Sequence, residues 1–337
     1  MAVKRCCVIG YGHWGPNVVR NIKCSSDLKL LYLVEPNLTR QEAYIKTYGR
    51  DVLFLLDIRD LEDDIDIAFV CSSTESHHRI VEFLLNIGVD VYCEKPFGLD
   101  SVNSKRLFEF AKEKNLLVWI NFPYLFHPAI LKIDNLLSEQ RENFGVIESI
   151  RSERSNFFGR MMSVDVVRDL MIHDFAILRF LFGSLNFIKF HFDDLSPLYE
   201  EKNQVVFYGR HELGIGVSFL ASHKSPIKQR RLQINTENGG LSFDESLIPS
   251  QLQVLRIKSS IDVHPDSKAM WSNSQADIYS PQLDFVEPLQ QSIISFVNSL
   301  EERDREQEFS MFHRRLMDVY TETSLFVGDL FNGKELK

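Results

Sequence analysis

No apolar run in the 337-residue sequence approaches the roughly 18 uninterrupted residues that a spanning helix requires, so a membrane segment is not expected. The opening MAVKRCCVIG enters a glycine turn too early to carry the full pattern of a signal peptide, and a soluble, cytoplasmic protein is expected. Positive charge is also short: 38 Lys and Arg stand against 47 Asp and Glu, a formal net charge of −9. That balance disfavours nucleic acid or an anionic membrane surface as the main partner. A local basic pocket for phosphates is still allowed, with Arg154, Arg160 and Arg168 as its candidates. Cysteine is scarce. The five present (Cys6, Cys7, Cys24, Cys71, Cys93) form an odd set without the paired spacing of a zinc site. Four lie in or beside strand-like apolar runs, which predicts buried thiols in a reducing compartment. There is no internal repeat and no low-complexity tract, which excludes a solenoid and a disordered chain.

What is present is an ordinary globular composition in a chain longer than a single hydrophobic core comfortably serves, so two domains are expected. Over the first 120 residues strand-like runs recur at Arg5 to Ile9, Leu28 to Val34, Ile65 to Cys71, Val89 to Cys93 and Leu117 to Asn121. Helical patterns fall between them at Asn17 to Lys23, Thr39 to Tyr48, His77 to Asn86 and Ser101 to Lys114. Alternation of this kind predicts an α/β, doubly wound Rossmann domain over residues 1–122. Its parallel sheet should carry helices on both faces and bind ligands at the carboxyl ends of its strands.

On the first crossover lies Gly10-Tyr11-Gly12-His13-Trp14-Gly15-Pro16-Asn17. Gly10 permits the tight turn, Gly12 lets backbone approach a diphosphate, and Gly15 lets the following helix pack on the strand. Pro16 suits a first helical turn, and the free N–H groups of that helix would bear the diphosphate without a lysine. Taken alone, GxGxxG is weak evidence. Glu35 strengthens it, ending the second strand 20 residues beyond Gly15, where a carboxylate accepts both ribose hydroxyls of adenosine and repels a 2′-phosphate. NAD is therefore the expected cofactor, with Arg40 nearby leaving room for dual use with NADP.

The segment Cys93-Glu94-Lys95-Pro96 resembles the hallmark of the glucose-fructose oxidoreductase, inositol dehydrogenase and MocA family. Cys71-Ser72-Ser73-Thr74-Glu75-Ser76-His77 looks like the family segment that passes under the nicotinamide ribose, and Asn121 to Pro128 like its entry into a second domain. Asp169-Leu170-Met171-Ile172-His173-Asp174 matches its DxxxHD helix. The Trp14-Gly15-Pro16-Asn17 variant of the turn, with Phe126-His127-Pro128, is similar to members acting on nucleotide-linked sugars or sugar 3-keto groups. The chain departs from the family where Val164 to Arg168 replaces a glycine-rich or tryptophan-containing lead-in. The resemblance implies cofactor contacts from Gly10, Gly12, His13, Trp14, Gly15, Glu35, Arg40, Ser72, Ser73, His77, Glu94, Lys95 and Asn121. It implies substrate contacts from Lys95, Asp169 and His173, with Tyr124, Arg154, Asn156, Arg160 and Arg168 as further pocket candidates.

After residue 123 the pattern turns β-rich, at Val146 to Arg154, Phe187 to Phe192, Gln204 to Arg210, Leu213 to Ala221, Arg231 to Thr236, Leu241 to Phe243 and Leu252 to Ile257. An α+β domain over 123–337 with a large, mostly antiparallel open sheet is expected to bind substrate. Its helix would cover one face, and the other face would join copies into a homodimer or homotetramer. Helical periodicity at Glu287 to Leu300 and Phe309 to Phe331 reads as structural.

Asp169 and His173 are four apart, one face of a regular helix, so the carboxylate is expected to orient the imidazole. From spacing alone such a pair is more often a surface hydrogen bond, and a strand-end lysine is usually solvated. The resemblance makes them catalytic: His173 the general acid or base, Asp169 its orienter or a substrate ligand, Lys95 the electrostatic partner of the reacting oxygen. His77-His78 lacks a carboxylate or cysteine at ligand spacing, so no metal is expected. The expected activity is hydride transfer between NAD(H) and a secondary alcohol or ketone of a sugar or nucleotide-linked sugar. Two alternatives stay open: an NAD-assisted glycosidase on the same fold, and a dinucleotide-sensing regulator without chemistry.

Overall fold

The computed structural model describes the chain apart from residues 1–2, 63–64, 140, 158–163, 197–201, 249–250, 258–275, 305–308 and 331–337. The chain divides into two units, Met1–Phe126 with Val286–Lys337, and His127–Phe285.

The first unit alternates β1 (Lys4–Ile9), α1 (Gly15–Cys24), β2 (Leu28–Val34), α2 (Leu38–Tyr48), β3 (Leu53–Leu55), β4 (Ile67–Val70), α3 (Thr74–Asn86), β5 (Asp90–Glu94), α4 (Ser101–Glu113) and β6 (Val118–Asn121). The six strands run in the order β3-β2-β1-β4-β5-β6, all neighbours parallel, which is the doubly wound order expected of a dinucleotide domain. Because both faces are covered, the central strands are continuous hydrophobic runs: β4 and β5 are buried at every position. Cys6, Cys7, Cys71 and Cys93 lie in this interior and Cys24 is exposed. Burial pushes the thiols of the four buried ones up, so they stay protonated and inert.

In the second unit α5 (Pro128–Glu139) and the single turn α6 (Arg141–Phe144) lead into β7 (Ile147–Phe157). A π-helical stretch, Val167–Met171, then opens α7 (Ile172–Phe182). The strands β8 (Phe187–Asp194), β9 (Gln204–His211), β10 (Gly216–Ser222), β11 (Lys224–Thr236), β12 (Gly239–Asp244), β13 (Leu252–Ile257) and β14 (Ala276–Tyr279) follow. With β7 they form an eight-stranded sheet ordered β14-β13-β12-β11-β7-β10-β9-β8, antiparallel except for β7 beside β10. Register alternation gives the sheet two chemistries. Ser152, Phe207 and Phe219 share one face, and Phe175 of α7 packs on the two phenylalanines at 5.1 and 5.6 Å. Arg151, Tyr208 and Ser218 share the other.

The C-terminal helices α8 (Pro288–Asp304) and α9 (Met311–Asp329) correct the expected boundary, which gave everything after residue 122 to the second domain. They belong to the first unit because its sheet needs them. Ser292 of α8 accepts from the Trp119 indole at 3.2 Å and from the Tyr92 hydroxyl at 2.9 Å, and Phe296 lies against Trp119, Tyr92 and Phe69. Glu287, just before α8, takes Arg20 of α1 at 2.5 and 2.9 Å. No helix among the described residues is long and apolar enough to cross a membrane.

Candidate active site

In the first unit the functional groups collect where the parallel strands end. Gly10 has φ +95°, and a Cβ there would stand 2.8 Å from the Cys71 carbonyl oxygen, so only glycine makes this turn. A Cβ on Gly15 would collide with the Gly10 carbonyl. At Gly12 a Cβ would meet nothing nearer than Arg40, at 3.8 Å. Gly10 and Gly15 are thus required by the fold, whereas Gly12 keeps open a cradle above the first turn of α1. There Pro16 stands and no side-chain cap takes the helix N–H groups. His13 is exposed at this turn and Trp14 half-buried.

Beneath the turn lies Glu35, 1% exposed. Its carboxylate accepts the backbone N–H of Tyr11 at 2.8 Å and of Asn37 at 2.9 Å, while the Arg40 guanidinium approaches at 3.4 Å. Two fixed donors aim a charged oxygen pair beside the cradle, as recognition of a ribose diol requires. Arg40 is half exposed and leans toward both Glu35 and Gly12, where a phosphate would be welcome.

At the end of β5, Glu94 is buried and accepts from the Asn121 amide at 2.7 Å. Burial raises its carboxyl from 4.5 to about 7, against the opposing pull of Asn121, Lys95 and the Trp14 indole. The Asn121 side-chain oxygen is buried without a partner, an unmet acceptor on the residue paired with Glu94 that suits an amide N–H of a bound nicotinamide. Lys95 itself is half-buried and joined to Pro96 by a cis peptide. The cradle, the pinned carboxylate and the unmet acceptor all fit a dinucleotide.

His77 behaves differently from the expectation of a cofactor contact. It is 1% exposed, with Nδ1 3.0 Å from the Pro96 carbonyl and Nε2 3.1 Å from the Ser72 carbonyl. Burial lowers its pKa, so the ring is neutral and donates to one of these oxygens. It ties the loop after β4 to the loop after β5 and so positions Ser72 and Lys95. Ser72 also takes the Ser76 hydroxyl at 2.7 Å, and Ser73 is the exposed N-cap of α3. Tyr124 is half-buried in the 3-10 turn Pro123–Phe126.

In the second unit Asp169 has a partner outside the Asp169 to Asp174 segment. Asp169 Oδ2 lies 3.0 Å from Nε2 of His223, a residue the sequence reading did not select. Asp169 lies in the π-helical stretch and His173 in the α-helix that follows it. His173, 6% exposed, begins α7. Next to it Asp174 is fully buried, accepting from Arg154 Nε and Ser152 Oγ at 2.6 Å each. Arg154, 2% exposed, is therefore an interior counter-ion and not the substrate ligand expected. Arg168 is committed to Asp165 at 2.8 Å, within a turn whose N–H groups at Val167 and Arg168 the same carboxylate caps. Asn156 stays half-buried near the end of β7, and Arg160 lies outside the described residues. Among the described residues, then, the expected basic pocket of Arg154 and Arg168 does not form.

Comparison with known proteins agrees with this geometry. Residues 4–122 match the model of an oxidoreductase family with an NAD-binding Rossmann fold. Inositol 2-dehydrogenase of Rhizobium meliloti is 24% identical over 52% of this chain and 54% of that enzyme. UDP-N-acetylglucosamine 3-dehydrogenase of Acidithiobacillus ferrooxidans is 30% identical over 36% of this chain and 37% of that enzyme. The chain thus matches about half, or less, of the length of these relatives. The solved structure of the Acidithiobacillus enzyme superposes with a TM-score of 0.78 over 97% of this chain and 96% of its own, at 20% identity, a likeness of fold across both units. Residues 4–122 are thus similar to the NAD-binding Rossmann domain of the glucose-fructose oxidoreductase, inositol dehydrogenase and MocA family of oxidoreductases.

Proposed function

We propose that the protein is an NAD(H)-dependent oxidoreductase acting on a secondary alcohol or ketone of a sugar or nucleotide-linked sugar. One observation carries the reading. An open diphosphate cradle at Gly12, a buried ribose-binding carboxylate at Glu35 and the lysine of the Glu94-Lys95-Pro96 segment stand at the carboxyl ends of strands in one parallel sheet. Glu35, held by Tyr11 and Asn37, favours NAD over a 2′-phosphorylated cofactor. When bound, the cofactor supplies a two-electron hydride acceptor or donor. Lys95 gives its ammonium to the reacting oxygen and lowers the energy of its alkoxide character. His173 takes the hydroxyl proton in oxidation and returns it in reduction. Asp169 orients substrate through its carboxylate.

Catalysis in the cytoplasm and assembly into a homodimer or homotetramer are parts of the same proposal. The sheet face bearing Arg151, Tyr208 and Ser218 is the surface through which copies would join. The direct test is calorimetric titration with NAD+, followed by assays of myo-inositol and UDP-N-acetylglucosamine for NADH formation. Lys95→Ala and His173→Ala are expected to lower kcat by about 10²-fold or more while NAD+ affinity changes little. Full turnover by either variant would remove that residue from the chemistry.

A further inference from the structure

We infer that His223 is a positioning residue that fixes and orients the Asp169 carboxylate, so that the acid–base element of the second unit is a helix-to-sheet pair. The inference rests on the proposed function for its catalytic meaning, but the pair itself rests on local geometry. His223 stands in the single-residue link between β10 and β11 and is 3% exposed. Its backbone N–H donates to the Asn203 carbonyl at 2.8 Å, and the following N–H, of Lys224, donates to the Ser222 hydroxyl at 3.1 Å. The imidazole is thus delivered from a pinned backbone. On the other side, the π-helical stretch is anchored by Asp165, which caps the N–H groups of Val167 and Arg168 at 3.0 Å, and Asp169 N–H returns to the Asp165 carbonyl at 3.0 Å. Both ends of the Asp169 to His223 contact are held before the side chains meet.

A carboxylate only accepts, so His223 must donate through Nε2–H. With side-chain exposures of 4% for His223 and 13% for Asp169, the contact is shielded and selects one carboxylate orientation. Asp169 thereby has a partner 54 residues away in the sequence, delivered by a different element from the one that carries His173.

The test uses the full chain labelled with 15N-histidine and saturated with NAD+. Loss of one signal set in His223→Gln assigns the ring. The expected signature is a protonated Nε2 whose resonance shifts in Asp169→Asn while those of other histidines outside the site do not. In assays with myo-inositol or UDP-N-acetylglucosamine, His223→Leu should lose about tenfold or more in kcat with KM within about twofold, the effect of one charge-assisted hydrogen bond. His223→Gln, which keeps a donor, should recover most of that loss. An unchanged His223 spectrum in Asp169→Asn, or wild-type kcat in His223→Leu, overturns the inference. Failure of the chain to bind NAD+ would instead sink the oxidoreductase reading, and the same spectra recorded without cofactor would still decide the pair.

Discussion

The two units hold their functional groups by different means. In the Rossmann unit the backbone does most of the work: the glycine turn is shaped by chain geometry, and Glu35 is aimed by two main-chain N–H groups. In the sheet unit side chains hold side chains, Asp174 by Arg154 and Ser152, Asp169 by His223. Main-chain presentation survives most substitutions around it. A buried charge pair does not, because removing one member strands the other in a low dielectric.

The sharpest test of that contrast is Asp174→Ala, which leaves the Arg154 guanidinium buried opposite a void. A loss of roughly 3–5 kcal/mol is expected in urea unfolding, larger than for any substitution in the Rossmann unit's turn. A change under about 1 kcal/mol would break the comparison.

Glu94 is the exception inside the first unit, a buried side chain whose carboxyl sits at about 7 in place of 4.5. The folded chain keeps a proton that the unfolded chain has released between those pH values. Stability should therefore fall as pH rises through that window, by on the order of 3 kcal/mol, and Glu94→Gln should flatten the slope. Unfolding midpoints measured from pH 4 to 8 check the sign. A slope that survives in Glu94→Gln would assign it to another group.

The smallest effects divide the glycines. Gly10→Ala meets both a positive φ and the Cys71 carbonyl, and should cost about 1–3 kcal/mol. Gly12→Ala should leave stability within about 0.5 kcal/mol yet weaken NAD+ by more than about tenfold, a loss of roughly 1.4 kcal/mol in binding. Paired thermal melts and calorimetry separate the two. Equal effects on folding at both positions would mean that Gly12 is structural and not part of a ligand cradle.

The same contrast decides what was legible in the sequence. Gly10, Gly12, Gly15 and Glu35 lie within 26 positions, and the periodicity around them is local, so the strand, turn, helix and carboxylate could be read directly. Strand β3 escaped because three residues carry no period, and its inward side chains are only half-buried. Asp169 was selected without its contact to His223, since helical spacing looks only along the helix, which here winds as a π-helix. His223 had no local signal: its role depends on strand β10 carrying it back to a helix 54 residues earlier. Arg154 illustrates the converse. An arginine on a strand reads as a ligand until the strand's pairing shows that it lies inside, opposite Asp174. The C-terminal helices were recognised as helices, but amphipathic periodicity does not say which core a helix will cover.

That last point bears on the order in which the protein becomes a protein. Residues 1–126 contain every strand of the dinucleotide sheet and are synthesised before the helices that pack on Tyr92 and Trp119. Until residues beyond 286 emerge, the sides of those aromatic rings that meet Ser292 and Phe296 are uncovered. The second unit is complete by residue 285, so it can mature first, as an insertion folding inside an unfinished host.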